Sequence, residues 1–441
     1  MKVSKLSNFL INTRAVGAQT GVIMKVQFTE LILQMSQVLD YVETELVGVL
    51  TNHGKRVAYL SVVLGQRAGL TKYDRLDLAA YAVLHDNALT QYIQSEYIGA
   101  DANPGEPLPK GLGHHSILGE RNLADFPFYH PQVNAILHHH ENADGSGPFQ
   151  KTESETNLYA ALIHLTDQLD VLFDLKDKEN TAWKERSQLK EVSGMEKWEA
   201  VRTFAQNQRG KLFGETVTQL LLDGITDADF EKLSDEHLES ALREVLDYEE
   251  IDLTPQQLIN VSAVFAKIVD YKSTFTSLHS LGIAQKAYTM AKHYGLSEED
   301  CAKFYFAGAV HDIGKLAVDI NILEKPDKLT LDEFEEMKKH ALITYEVLSK
   351  IPGMEDISKV AAYHHEKLNG NGYPFGYAAK ELGKYERLLG CLDIYQALRE
   401  DRPYKAGKTH AETMAIMTGM VSGGFIDQEL TKEIDLVFKD T

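Results

Sequence analysis

Five histidines and two aspartates occur twice along this chain, in the same order and at nearly the same intervals. His53 precedes His85-Asp86 by 32 residues, and His279 precedes His311-Asp312 by the same distance. The intervening text matches in kind, GLTKYDRLDLAAYAVLHD against GLSEEDCAKFYFAGAVHD. Downstream, His115 corresponds to His340 and His139-His140-Glu141 to His364-His365-Glu366, all shifted by 225 residues; Asp167 corresponds to Asp393, shifted by 226. Ten of the 17 histidines fall on paired positions, which chance does not arrange. The chain therefore reads as one domain duplicated in tandem, and 441 residues suit two domains of ordinary size.

The local signals are helical nearly throughout. Ser297 and Asp300 have the spacing of a capping box ahead of Phe304, Ala307 and Val310, which recur at helical intervals. That pattern puts His311-Asp312 in the last turn of a helix, with Gly314 as its stop signal. Thr330 with Glu333 opens the next helix, which carries His340. No stretch alternates with a period of two, so the expected fold is all-α, two tandem helical domains. The charged amphipathic stretch 213–250 resembles the text after Asp393, and Thr254-Pro255 marks a junction. The expected division is 24–250 and 255–441. Met24-Lys25-Val26 repeats the opening Met1-Lys2-Val3, which makes 1–23 a candidate flexible extension.

Composition narrows the function. A net charge of −20 repels a long phosphate backbone, so duplex nucleic acid is a poor partner. A small anion is still accessible, because a local cluster of cations and metal ions outweighs the distant average. Cys301 and Cys391 lie in apolar runs and read as reduced core thiols of a cytoplasmic protein. No window holds about 18 consecutive apolar residues, and the N-terminus lacks the apolar segment of a signal peptide, so no membrane partner is expected.

Imidazoles and carboxylates are the ligands of iron, manganese or zinc in hydrolytic sites. Two ions about 3.5–4 Å apart can hold a bridging hydroxide, polarise a phosphoryl group and stabilise a leaving alkoxide. Such a pair needs six or more ligands, and the second half supplies five His and two Asp. One HD dipeptide would be ordinary polarity; the ordered set H, HD, H, HH, D, present twice, is not.

The second half also carries longer motifs. His311-Asp312-Ile313-Gly314-Lys315 resembles the HDxGK motif of the HD phosphohydrolases, and the stretch from His364 to Pro374, HHEKLNGNGYP, resembles the HHExxxGxGYP motif of the HD-GYP subfamily. The likeness covers nearly all of 255–440 and extends to the tandem HD-GYP phosphodiesterases of Vibrio that act on 3′,3′-cyclic GMP-AMP (cGAMP). It implies that His279, His311, Asp312 and Asp393 hold one metal, and that His340, His364 and His365 hold the other, with Asp312 bridging. It implies further that Lys315 contacts the scissile phosphate, that Gly372 and Tyr373 lie in a loop over the substrate, and that Arg402 and Lys405 grip phosphate oxygens. Some members carry an acidic residue four positions before the first histidine, giving a third metal. Phe275 stands there in this chain, so two ions are expected, iron or manganese first and nickel or zinc next.

The implied reaction is in-line attack of a metal-bridging hydroxide on one phosphodiester of a cyclic dinucleotide, leaving a linear 5′-phosphorylated product. The resemblance favours cGAMP, then cyclic di-GMP. The alternatives are an HD phosphohydrolase acting on another nucleotide, or a non-catalytic cyclic-dinucleotide sensor. A homodimer is left open. The first half keeps His53, His85, Asp86, His115, His139, His140 and Asp167, a second potential metal site. It has Ala88-Leu89 in place of Gly314-Lys315 and Gly147-Pro148 in place of Gly372-Tyr373-Pro374, and nothing after Asp167 matches Arg402 and Lys405. It is expected to be regulatory or structural.

Overall fold

Short polar side chains at helix starts satisfy N–H groups that the first turn leaves without partners. The computed structural model describes residues 24–47, 51–96, 113–248, 250–272, 279–401 and 406–440. The candidate extension 1–23, Phe275, Arg402 and Lys405 lie outside the described residues.

The first copy begins with β1 (Met24–Gln27) and continues with α1 (Phe28–Val47), α2 (His53–Arg67), α3 (Lys72–Val83), α4 (Leu89–Glu96) and α5 (Gly113–Asn122). It is completed by α6 (Leu158–Phe173), α7 (Lys197–Asn207), α8 (Glu215–Gly224), α9 (Asp227–Glu231) and α10 (Leu238–Val245). The second copy begins with β2 (Glu250–Leu253), then α11 (Pro255–Asp270), α12 (His279–His293), α13 (Glu298–Val310) and a 3-10 turn (Ile313–Ala317). It ends with α14 (Ile320–Leu323), α15 (Leu331–Leu348), α16 (Glu355–Ala362), α17 (Lys384–Arg399), α18 (His410–Ser422) and α19 (Gln428–Phe438).

The capping signals act where they were read. Ser297 Oγ accepts the Asp300 N–H at 3.1 Å and starts α13. Thr330 and Glu333 form a reciprocal box at the start of α15. Thr254 and Gln257 do the same for α11, with Pro255 in its first turn, where a missing N–H costs nothing.

Two local expectations change. Helix α13 ends at Val310, so His311 is its C-cap and Asp312 precedes the 3-10 turn; neither lies in the last helical turn. Gly314 is not a stop signal. A Cβ there would sit 2.0 Å from the His340 carbonyl oxygen, so the residue is glycine because the turn presses on the backbone of α15. The Thr344 side chain completes that contact, accepting the Gly314 N–H and donating to the His311 carbonyl, both at 3.1 Å.

The helical expectation also misses a two-stranded ribbon. β1 and β2 pair antiparallel, with Met24 opposite Leu253 and Gln27 opposite Glu250. Four residues per strand are too few for alternation to stand out. The ribbon ties the start of one copy to the start of the other, and one apolar cluster runs through both, from Met24 to Phe438. Helix α1 packs on the 3-10 turn of the second copy, and α11 packs on α4 of the first. Asn260 Nδ2 donates to the Asp125 carbonyl at 2.9 Å, and Lys267 Nζ to Asn122 Oδ1 at 3.1 Å. Cys301 and Cys391 are free and buried. Among the described residues no helix is long and apolar enough to cross a membrane.

Candidate metal centre

The second-copy candidates reach one place from five helices or their ends. His279 opens α12, His311 and Asp312 follow α13, His340 lies within α15, His364 and His365 follow α16, and Asp393 lies within α17. One ligand atom from each of Asp312, His340, His364 and His365 lies within 4.8 Å of every other, and the same holds for His279, His311 and Asp312. Asp393 joins the second group through His279, its Oδ1 lying 3.3 Å from Nε2. Asp312 belongs to both. Its Oδ2 is 3.1 Å from His311 Nε2, and its Oδ1 is 3.4 Å from His340 Nε2 and 3.7 Å from His364 Nε2. One carboxylate thus faces two clusters with different oxygens.

The rings are oriented for ligation. His311, His340 and His364 place Nδ1 at 2.8, 2.6 and 2.6 Å from the carbonyls of Gly308, Met337 and Ala361. A carbonyl accepts only an N–H, so the proton sits on Nδ1 and the Nε2 lone pair points inward. His311 Nε2, Asp312 Oδ1, His340 Nε2 and His364 Nε2 are buried without a hydrogen-bond partner. Buried polar atoms are almost always satisfied. Four orphans, all of ligand type and divided between two clusters that share Asp312, fit a pair of divalent transition-metal ions.

Electrostatics favours the same state. Burial lowers the His340 ring to about 4 and the His364 ring to about 3, and drives His365 well below the usual imidazole range, so all three are uncharged at neutral pH. Burial opposes ionisation of Asp312, but His311 and Lys315 outweigh it and hold the carboxylate well below its ordinary range. His279 differs. Burial works against its charge, yet the carboxylates of Asp393 and Glu400 raise it to about 10.

Glu400 went unrecognised from sequence. Its Oε2 lies 2.8 Å from His279 Nδ1, across 121 residues, and Gln396 Nε2 donates to its other oxygen at 2.5 Å. In the first copy the partner of His53 Nδ1 is Asp170, at 2.7 Å, three residues after Asp167. The residue three after Asp393 is Gln396, so the carboxylate comes instead from the end of α17. Comparing DQLD with DIYQ could have raised the question, but it could not have named the substitute.

Lys315 Nζ lies 2.5 Å from Asp312 Oδ2. The loop after His365 is held by Glu366, whose carboxylate accepts the N–H groups of Phe375, Gly376 and Tyr377 at 2.8, 3.1 and 3.0 Å. A Cβ at Gly372 would meet the Glu366 Cα at 2.4 Å, so the loop folds back only with glycine there. The Tyr373 ring is then set beside His365, centroids 4.7 Å apart, and edge-on to Phe334 at 6.3 Å. In the first copy, Asp86, His115, His139 and His140 form one cluster and His53, His85 and Asp167 another.

Two family models, each described as an HD domain, match residues 50–172 and 249–430. Over 391 residues the chain is 28% identical to the 3′3′-cGAMP-specific phosphodiesterase 1 of Vibrio cholerae, covering 86% of this chain and 85% of that protein. It is 37% identical to the 3′3′-cGAMP-specific phosphodiesterase 3 of the same organism over 36% of this chain and 34% of that protein. It is 34% identical to a cyclic di-GMP phosphodiesterase response regulator of Xanthomonas campestris pv. campestris over 34% of this chain and 41% of that protein. The alignments to these last two thus span about a third of the chain and well under half of each relative. The fold matches the crystal structure of a cyclic GMP-AMP specific phosphodiesterase of V. cholerae, with a TM-score of 0.61 and 20% identity, covering 95% of this chain and 99% of that one.

Proposed function

The chain carries two HD domains in tandem, and from that premise we propose that it is a metal-dependent phosphodiesterase that opens a cyclic dinucleotide at its second copy. The favoured substrate is 3′,3′-cGAMP, as for the Vibrio relative aligned along most of both chains, with cyclic di-GMP next. The product is a linear 5′-phosphorylated dinucleotide. The site of action is the cytoplasm, where Cys301 and Cys391 stay reduced.

One observation carries the reading: Asp312 faces two histidine clusters with separate oxygens, and Lys315 stands beside it. His279, His311, Asp312 and Asp393 would hold one ion, and Asp312, His340, His364 and His365 the other, iron or manganese before nickel or zinc. Bound ions bring the pKa of coordinated water to about 7 and polarise a phosphoryl oxygen. The chain supplies the rest. Lys315 offers a point charge that can leave Asp312 for a phosphate oxygen. Glu366 fixes the loop, and Gly372 lets its backbone close on the ligand. Tyr373 adds a flat ring at the edge of the His340–His365 side, suited to a purine face. The resemblance alone assigns Arg402 and Lys405 to phosphate oxygens.

The test is turnover of 3′,3′-cGAMP and cyclic di-GMP by manganese- or iron-loaded protein, beside the double variant His311→Ala, Asp312→Ala. A linear dinucleotide from the parent and none from the variant places the reaction at this centre, and the rates rank the substrates. If the loaded parent leaves both intact, the phosphodiesterase reading falls, and a sensor or another nucleotide hydrolase takes its place.

A further inference from the structure

We infer that the first copy holds its own pair of divalent transition-metal ions, and that this pair serves the fold rather than the dinucleotide. The ligands would be His53, His85 and Asp167 on one side and His115, His139 and His140 on the other, joined by Asp86.

Matching the clusters contact by contact supports this. His53 Nε2 lies 3.2 Å from Asp167 Oδ1, against 3.3 Å for His279 and Asp393. Asp86 divides its oxygens as Asp312 does: Oδ2 is 3.5 Å from His85 Nε2, while Oδ1 is 3.1 Å from His115 Nε2 and 3.6 Å from His139 Nε2. The His53 and His85 rings are 5.6 Å apart, as are those of His279 and His311. His115 and His140 are separated by 5.0 Å, His340 and His365 by 5.1 Å. His85 and His139 give Nδ1 to the carbonyls of Ala82 and Ile136, at 2.7 and 2.5 Å, so their Nε2 atoms also point inward. His85 Nε2 and Asp86 Oδ1 are buried without a hydrogen-bond partner. An orphan pair of that kind is costly unless an ion satisfies it.

Two further features separate a working centre from a relic. The support of the first ligand has been built from different residues: Asp170, ion-paired with the fully buried Arg56 at 2.7 Å, does for His53 what Glu400 does for His279. A site that had stopped binding metal would have no need to keep this ring oriented. Asp86 also lacks the lysine, because buried Leu89 stands where Lys315 does, so the carboxylate is left for a metal ion to neutralise. The same replacement, with the missing tyrosine, removes the groups that would handle a phosphodiester.

The experiment counts metal in the full-length, manganese-loaded protein after exhaustive dialysis, by elemental analysis. The parent is expected to hold about four ions per chain, two in each two-metal site. The His311→Ala, Asp312→Ala variant should keep about two while losing turnover, and the His85→Ala, Asp86→Ala variant should lose the other two and melt earlier. His140→Gln, at a half-buried position, is the second variant if that double change prevents folding; its occupancy should fall below that of the parent. Anomalous scattering from parent crystals locates the ions directly. The inference is overturned if the folded His311→Ala, Asp312→Ala variant retains no metal, or if anomalous peaks occur only in the second copy. Metal counting does not depend on turnover, so failure here and failure of the phosphodiesterase reading are separate results.

Discussion

His279 is the one candidate ligand of its set whose second nitrogen meets a carboxylate rather than a main-chain carbonyl among the contacts described for these rings. Glu400 fixes its tautomer, and partners of this kind typically carry about 10–100-fold in metal affinity. Glu400→Ala should therefore weaken manganese binding by that order, read by titration of the metal-free protein. Adding Gln396→Asp should recover part of the loss by restoring the first copy's arrangement. An unchanged affinity would remove Glu400 from the orienting role. Gly282 stands where the first copy has Arg56, and a Cβ there would lie 2.5 Å from Gln396 Nε2, so a side chain at 282 would displace the amide that donates to Glu400.

Protonation follows from the same contacts. In metal-free protein His279 titrates near 10, above the ordinary value of 6.5, so its charge stabilises the fold fully below 6.5 and that contribution fades as pH rises through about 10. An entering metal must displace this proton. Apparent metal affinity should rise with pH towards 10, with about one proton released per chain from this group, measurable by calorimetry in buffers of different ionisation enthalpy. His340 and His364 run the other way. Their folded values near 4 and 3 lie below 6.5, so the stability of the metal-free protein should fall as pH drops from 6.5 towards 4.

Among the elements, the 3-10 turn after α13 does most to place the chemistry. It sets Asp312 between the clusters, and it is clamped to α15 by close backbone approach at Gly314 and by the buried Thr344 hydroxyl. Thr344→Val keeps the shape but strands a buried N–H and a carbonyl, at a cost of about 1–3 kcal/mol for each group left unsatisfied. Urea unfolding should show that loss together with weaker metal binding; stability equal to the parent would mean the turn does not need the clamp. Helix starts were legible because a cap acts over three residues. The role of Gly314 was not, since it depends on a carbonyl 26 positions away that only packing brings near.

Across the whole molecule the two copies are not independent beads. The β1–β2 ribbon, the reach of α1 onto the second copy's turn and of α11 onto α4, and the shared apolar cluster make the first copy part of the second's support. Residues 250–441 contain every second-copy candidate ligand, yet expressed alone they would expose the apolar surface that α1 covers. Such a fragment is expected to aggregate or melt well below the parent and to turn over little dinucleotide, by size-exclusion chromatography and product assay. A monodisperse, fully active fragment would show that the first copy is dispensable.

The candidate ligands and their order, the duplication, the helical character and the loss of Lys315 and Tyr373 counterparts in the first copy were all readable along the chain, and packing brings those candidates together. Residue type and order are read directly from the sequence, and the helices follow from spacing within a few turns, where covalent geometry and local hydrogen bonding dominate. Three things were not: the division of the Asp312 oxygens between clusters, the pairing of Glu400 with His279 across 121 residues, and the crossing of α1 onto the other copy. These rest on contacts between segments far apart in sequence, where the burial of shared apolar surface, not the propensity of any one stretch, selects the arrangement.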